Sequence, residues 1–121
     1  MPARYVLQHH ATPDGQAHHD LMLERGGALK TWRLSAPEKI QEGAEGLAES
    51  LRDHRIAYLD YEGPVGGGRG EVRIADRGEY ETEGWTGAEA VVRIRGGLLN
   101  GRFRLSASPG KGEWAIKRIC H

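Results

Sequence analysis

The stretch DLMLERGGALKTWRL, Asp20 to Leu34, reads as two short strands joined by a tight turn at Arg25-Gly26-Gly27. Glycine reaches the positive φ angles of two-residue hairpin loops, so apolar runs flanking a glycine pair are a short-range hairpin signal. The same grammar continues on both sides. Upstream, ARYVLQHH (residues 3–10) reads as a strand. Downstream come EVRIADRGEYE (71–81), with Asp76-Arg77-Gly78 expected as a turn, then AEAVVRIRGG (88–97), LLNGRFRLSA (98–107), a Pro109–Gly112 loop and EWAIKRI (113–119). Alternation such as Val72/Ile74 and Phe103/Leu105 suits sheets with one buried face. The middle is less regular. APEKIQEGAEG (36–46) is polar and expected as a loop, and GPVGGGRG (63–70) as a flexible connection. RIAYLDYEG (55–63) is strand-like, whereas LAESLRDH (47–54) fits a helical turn or a strand face equally. About eight or nine short strands with little helix indicate a mainly β domain, a barrel or a sandwich.

The chain has 121 residues, enough for one domain spanning 1–121 with a single modest core. No apolar run approaches the roughly 20 residues of a membrane span, and no signal-like stretch opens the chain. With one cysteine, Cys120, no internal disulfide forms, so a reducing, cytoplasmic setting is expected. Formal net charge is zero, which argues against a broad basic surface coating nucleic acid. Residues 86–121 nonetheless carry seven basic against two acidic residues, about +5. That excess reads either as charge alternation on solvated strand faces or as a basic flank beside an anionic substrate. Trp32, Trp85 and Trp114 are expected in the core or sealing its edge. Gly66-Gly67-Gly68 lacks the following helix and lysine of a phosphate-binding loop, and is at most a hinge or flap.

Four of the six histidines fall between residues 9 and 19. In strands, residues two apart share a face. Gln8 and His10 therefore face one way and His9 the other; His18 and Asp20 share a face opposite His19. One imidazole from each pair plus the carboxylate, His10, His18 and Asp20, makes a donor set suited to Mn²⁺, Fe²⁺ or Zn²⁺ with positions left open. The competing reading is an exposed polar hairpin. A further alternative combines His18 and Asp20 with a distant His54, as in the facial triad of non-haem iron oxygenases. His54 and Tyr58, four apart in RDHRIAYLDYEG, offer a general acid or phosphate donor and an orienting hydroxyl.

Taken together and in order, RYVLQHH, HHDLMLERGGALKTW, RDHRIAYLDYEG, GEVRIADRGEYE, LLNGRFRL and EWAIKR resemble the 3′-phosphoesterase domain of bacterial and archaeal DNA ligase D, and in particular its small free-standing relatives. The resemblance runs from Arg4 to about Arg118. It implies a compact β-barrel with little helix and a Mn²⁺-dependent activity on DNA 3′ ends, in which a terminal ribonucleoside is removed and the 3′ phosphate hydrolysed. Matched by position, it implies metal binding by His10, His18 and Asp20, catalytic roles for His54 and Tyr58 at the scissile phosphate, and a supporting role for Gln8.

The pattern departs from that family where phosphate is gripped. The arginine usual two residues after the metal-binding aspartate is Met22, the tyrosine between His and Asp is His19, a lysine falls at about Ala36, and an upstream arginine falls near Gly46. An acid before the Asp-His pair is Arg52. Arg33, Arg52 and Arg55 are the nearby cations that would substitute. Three functions follow: a metal-dependent phosphoesterase for nucleic-acid 3′ ends, a non-catalytic metal-containing module recognising DNA ends or a repair partner, and a phosphoesterase for small phosphate esters. Ligase and polymerase activities are expected from separate chains.

Overall fold

The computed structural model describes residues 3–110 and 112–119; Cys120 lies outside them. The Asp20–Leu34 stretch is a hairpin of β2 (Ala17–Arg25) and β3 (Ala28–Leu34), with Arg25 paired to Ala28 across Gly26 (φ +62°) and Gly27 (φ +84°). Both turn residues are left-handed, the geometry that matches the twist of the flanking strands and that side chains resist. Around it stand β1 (Ala3–Ala11), β4 (Gly46–His54), the two-residue β5 (Gly63–Pro64), β6 (Glu71–Trp85), β7 (Glu89–Gly96), β8 (Asn100–Ala107) and β9 (Glu113–Ile119). All pairings are antiparallel in the order β1-β2-β3-β4-β9-β8-β7-β6, and β6 returns to β1. The result is a closed eight-stranded barrel with β5 appended to β6, so no long edge is left to recruit another strand.

Alternate residues of every barrel strand point inward. Tyr5, Leu7, Leu21, Leu23, Trp32, Leu34, Tyr80, Val92, Ile94, Phe103, Leu105 and Ile116 fill the lumen. Trp32 is buried, and Trp85 and Trp114 pack against it with ring centroids 6.0 and 5.5 Å away. A second apolar cluster lies on the opposite face of β1–β3, where Val6, Met22 and Leu29 are covered by Leu59, Ile56 and Tyr58.

Four local expectations change. LAESLRDH is strand β4, settled by its pairing with β3 and β9. The expected 36–46 loop contains a short helix, α1 (Pro37–Gln41), begun by a proline whose fixed φ suits a first helical turn. Its Ile40 is buried in the lumen core, an anchor too short to show as periodicity. RIAYLDYEG is not a strand: Ile56–Leu59 forms one 3₁₀ turn, because its apolar residues bury onto the outer cluster instead of pairing. Asp76-Arg77-Gly78 lies within β6. Its turn chemistry serves a neighbour. The Asp76 carboxylate accepts the N–H groups of Gly97, Leu98 and Leu99 (2.9, 2.7 and 3.0 Å), which form the β7–β8 connection, and the Tyr5 hydroxyl (2.8 Å). Gly78 lets β6 approach β7, since a Cβ there would collide with the Arg95 carbonyl.

The basic excess of the last strands is largely matched within the sheet. Arg93 and Arg102 pair with Glu83 (3.5 and 2.7 Å), Arg95 with Glu81, and Arg104 with Glu89 (3.3 Å). This supports alternation along strand faces over a basic flank. Among the described residues no helix is long and apolar enough to cross a membrane.

Burial pushes the Asp76 carboxyl up, but its hydrogen bonds from Leu99, Tyr5, Leu98 and Gly97 outweigh that and hold it below the usual carboxylate range. A depressed folded pKa contributes stability that is complete above the unfolded value of about 3.9 and is lost as pH falls through the folded value. Asp76→Ala is therefore expected to cost on the order of 3 kcal/mol near neutral pH, leaving several donors unpaired. Denaturant titrations of both proteins at about pH 7 and about pH 3 check this: the gap should narrow in acid. A gap that ignores pH would assign the loss to packing.

Candidate metal centre

The site begins with one hairpin register. Between β1 and β2, Thr12 N–H donates to the Gln16 carbonyl (2.8 Å) and Gly15 takes φ +84°, closing a short loop. Strand pairing then sets Gln8 against Asp20, His9 against His19 and His10 against His18. Tyr5, Leu7, Leu21 and Leu23 point into the lumen, and His9 and His19 continue that face with their rings 5.2 Å apart. Burial and the neighbouring His9 charge hold the His19 imidazole below its usual pKa, burial contributing most. The opposite face carries Val6, Gln8 and His10 beside His18, Asp20 and Met22. The candidate centre is thus on the outer wall of the barrel, not in its lumen.

On that wall, single donor atoms of His10, His18 and Asp20 lie within 4.8 Å of one another, the one such group of three found among the described residues. His54 is not in it, which removes the facial-triad alternative. His10 Nε2 lies 2.8 Å from the Arg69 carbonyl, and a carbonyl only accepts, so Nε2 carries the proton and Nδ1 holds the lone pair. His18 Nε2 sits 3.1 Å from that Nδ1. A carbonyl partner on the far ring nitrogen is the usual way proteins orient a ligating histidine. The His18 imidazole titrates below its usual range because of burial and, secondarily, the Arg33 charge, which favours the neutral form that ligates metals.

Asp20 gives the test of fit. It is 4% exposed, and its Oδ1 is buried without a hydrogen-bond donor. Arg33 Nε, also without a hydrogen bond, approaches only to 3.7 Å. A buried carboxylate oxygen left unsatisfied is costly, and a cation beside two neutral imidazoles would satisfy it. Two nitrogen donors and one oxygen donor fit a Mn²⁺, Fe²⁺ or Zn²⁺ ion.

Gln8 is fully buried and donates through Nε2 to the Tyr58 carbonyl (2.8 Å) and the Tyr61 carbonyl (3.4 Å). It ties the 3₁₀ turn to the wall next to Asp20. Tyr58 packs edge-on against His54 at 5.7 Å and against Tyr61 at 5.5 Å. The His54 Nδ1 donates to the Arg52 carbonyl (2.9 Å), which leaves Nε2 for other partners. Met22 is fully buried in the outer cluster under this turn.

The sequence-selected cations are spread out. Arg33 stands beside Asp20 and Glu49 (3.9 Å), completing a row Gln8–Asp20–Arg33–Glu49 across four strands. Arg52 and Arg55 are exposed, and the contacts found for them are made by their backbone carbonyls, to His54 and to the Tyr58 N–H. Two participants escaped sequence reading. Glu49 carries a signal in hindsight, the strand alternation of β4; the Arg69 carbonyl carries none, because every residue has one. The Gly66–Gly68 segment, expected to be flexible, is closed by hydrogen bonds from Val65 N–H to the Gly70 carbonyl (2.7 Å) and from Arg69 N–H to the Val65 carbonyl (3.4 Å).

Residues 8–117 match the family described as the DNA ligase D 3′-phosphoesterase domain. The chain is 32% identical over 122 residues to the multifunctional non-homologous end joining protein LigD of Mycobacterium bovis, covering 94% of this chain and 15% of that protein. It is likewise 32% identical over 133 residues to LigD of Mycolicibacterium smegmatis (96% and 17%) and 29% identical over 118 residues to LigD of Pseudomonas aeruginosa (91% and 14%). The chain thus spans less than a fifth of the length of these curated relatives. A match running from the buried Gln8 of β1 to Lys117 of β9 takes in nearly the whole closed barrel, and the chain belongs to the DNA ligase D 3′-phosphoesterase domain family.

Proposed function

We propose that this domain is a metal-dependent phosphoesterase that removes 3′ phosphates and 3′ ribonucleotides from nucleic-acid ends, in the service of DNA break repair by non-homologous end joining. The observation that carries the reading is the convergence of His10, His18 and Asp20 around an unsatisfied buried carboxylate oxygen. Those three residues would hold the ion, with Mn²⁺ the first candidate. When bound, it supplies Lewis acidity and positive charge to a phosphate ester. The Arg69 carbonyl orients His10, and Gln8 keeps the Tyr58 segment against the wall. His54, with Nδ1–H committed to a carbonyl, presents Nε2, which in the doubly protonated imidazolium would give its proton to a leaving oxygen or a hydrogen bond to phosphate. The Tyr58 hydroxyl orients that phosphate. Arg33, 3.7 Å from Asp20, supplies a cation at the triad.

Buried Met22 supports a second reading, in which the barrel and metal are kept for recognising DNA ends or a repair partner without efficient hydrolysis. Where an arginine clamp would stand there is apolar packing, and Arg33 is shared between two carboxylates.

A primer with a labelled 3′ phosphate, annealed to template and incubated with Mn²⁺ or with EDTA, tests the first reading. Conversion to a 3′ hydroxyl is expected only with metal, and His10→Ala or His18→Ala should reduce it by roughly 100-fold or more while the circular dichroism of the barrel is kept. Turnover unaltered in both variants would sink the proposal. Met22→Arg separates the two readings. A gain of roughly ten-fold or more, the worth of one charge-assisted contact, marks an assembled site short of a cation. A folded variant without gain, from an inactive parent that binds metal, favours recognition.

A further inference from the structure

We propose that the cleft at the barrel rim next to the metal centre is a seat for the nucleobase and sugar of the nucleotide whose phosphate the centre takes. The inference rests on the phosphoesterase reading and names the part of the substrate that lies beyond the phosphate. The cleft has a volume of about 440 Å³ and opens where β2 begins and β3 runs into α1. Ligand pockets generally fall at about 300–1,000 Å³, and this one stands at the low end, suited to a single nucleoside.

Its lining combines two chemistries. His18 and Arg33 belong to it, so the cleft is continuous with the candidate centre. Ala36, Pro37 and Leu47 give it an apolar part. Leu47 is 70% exposed and is the large hydrophobic residue that the described surface leaves most open. A single exposed leucine is ordinary. This one lines a cleft that also holds a candidate metal-ligand histidine and a guanidinium. An apolar platform adjoining a candidate metal-binding corner matches a molecule that is flat and weakly polar at one end and anionic at the other.

Charge excludes the obvious competitor, a second phosphate. Arg33 is the one lysine or arginine among the lining residues, whereas Glu38 and Glu49 both border the cleft. Arg33 is itself already shared between Asp20 and Glu49. A second phosphate would therefore meet two carboxylates and a committed cation, while a neutral base and sugar meet no penalty. The His19 ring lines the same cleft and offers an aromatic edge to a base.

The test compares two ligands on the full chain labelled with ¹⁵N: 2′-deoxyadenosine 3′-phosphate, and methyl phosphate as the same anion without base or sugar. The nucleotide should bind roughly ten-fold or more tightly than methyl phosphate, the worth of about one stacked base, and should alone shift the amide signals of Ala36, Leu47 and His19. Leu47→Ser, on an exposed position, should bring the two dissociation constants toward each other. Equal affinity for the two ligands, a ratio indifferent to Leu47→Ser, or no shift at the cleft overturns the seat. Nucleotide-specific shifts at Leu47 in a protein that leaves labelled 3′ phosphate intact with Mn²⁺ would uphold the seat and overturn the hydrolytic reading instead.

Discussion

The register of β1 on β2 is the constraint on which the rest depends. With Gln8 opposite Asp20 and His10 opposite His18, three donors meet on the outer wall while Leu7 and Leu21 meet in the lumen. Strand side chains alternate with period two, so a one-residue slip of either strand would carry its whole set to the wrong side. His9 or His19 would then occupy the wall, and that strand's leucines would face outward. The lumen core therefore specifies the candidate metal centre indirectly: burying Tyr5, Leu7, Leu21 and Leu23 leaves no other face for Gln8, His10, His18 and Asp20. The short hydrogen-bonded loop over Thr12–Gln16 adds a local lock on the same register.

A barrel wall normally faces solvent, and this one is covered over part of its height. The segment between β4 and β6 lies across β1–β3, held by the apolar cluster of Val6, Met22, Leu29, Ile56, Tyr58 and Leu59 and by Gln8 hydrogen-bonded to two of its carbonyls. The same segment ends at Arg69, whose carbonyl orients His10. Cover and centre are therefore one structure. Met22 belongs to it as packing, so its exchange for a charged residue alters the support of Tyr58 as well as the charge beside the candidate centre. The apolar cluster stops at the row Gln8–Asp20–Arg33–Glu49, where the wall turns polar.

Electrostatics in this protein is local. The basic residues of β7 and β8 are paired with glutamates of β6 and β7, and exposed pairs of that kind contribute about 0–1 kcal/mol each. Among the described residues they offset four of the arginines of these strands, in keeping with zero formal charge. Recognition of a nucleic-acid end would then rest on a few groups close to the centre.

The sequence by itself determined the alternation of apolar and polar residues and the glycine turns, and from these follow a mainly β fold, the Asp20–Leu34 hairpin and the sorting of each histidine pair onto two faces. Period-two geometry is a local property of the chain, so His10, His18 and Asp20 could be selected before any contact was known. What only the tertiary structure decided depends on partners distant in sequence. β4 became a strand because β3 and β9 flank it; Ile56–Leu59 became a turn because an apolar wall was there to receive it. Asp76 caps a connection more than twenty residues away, a role its own neighbours do not announce. The Arg69 carbonyl and the orphaned Asp20 oxygen were invisible for a deeper reason. A backbone acceptor is common to every residue, and whether a carboxylate is buried without a donor is settled only when the chain has closed around it.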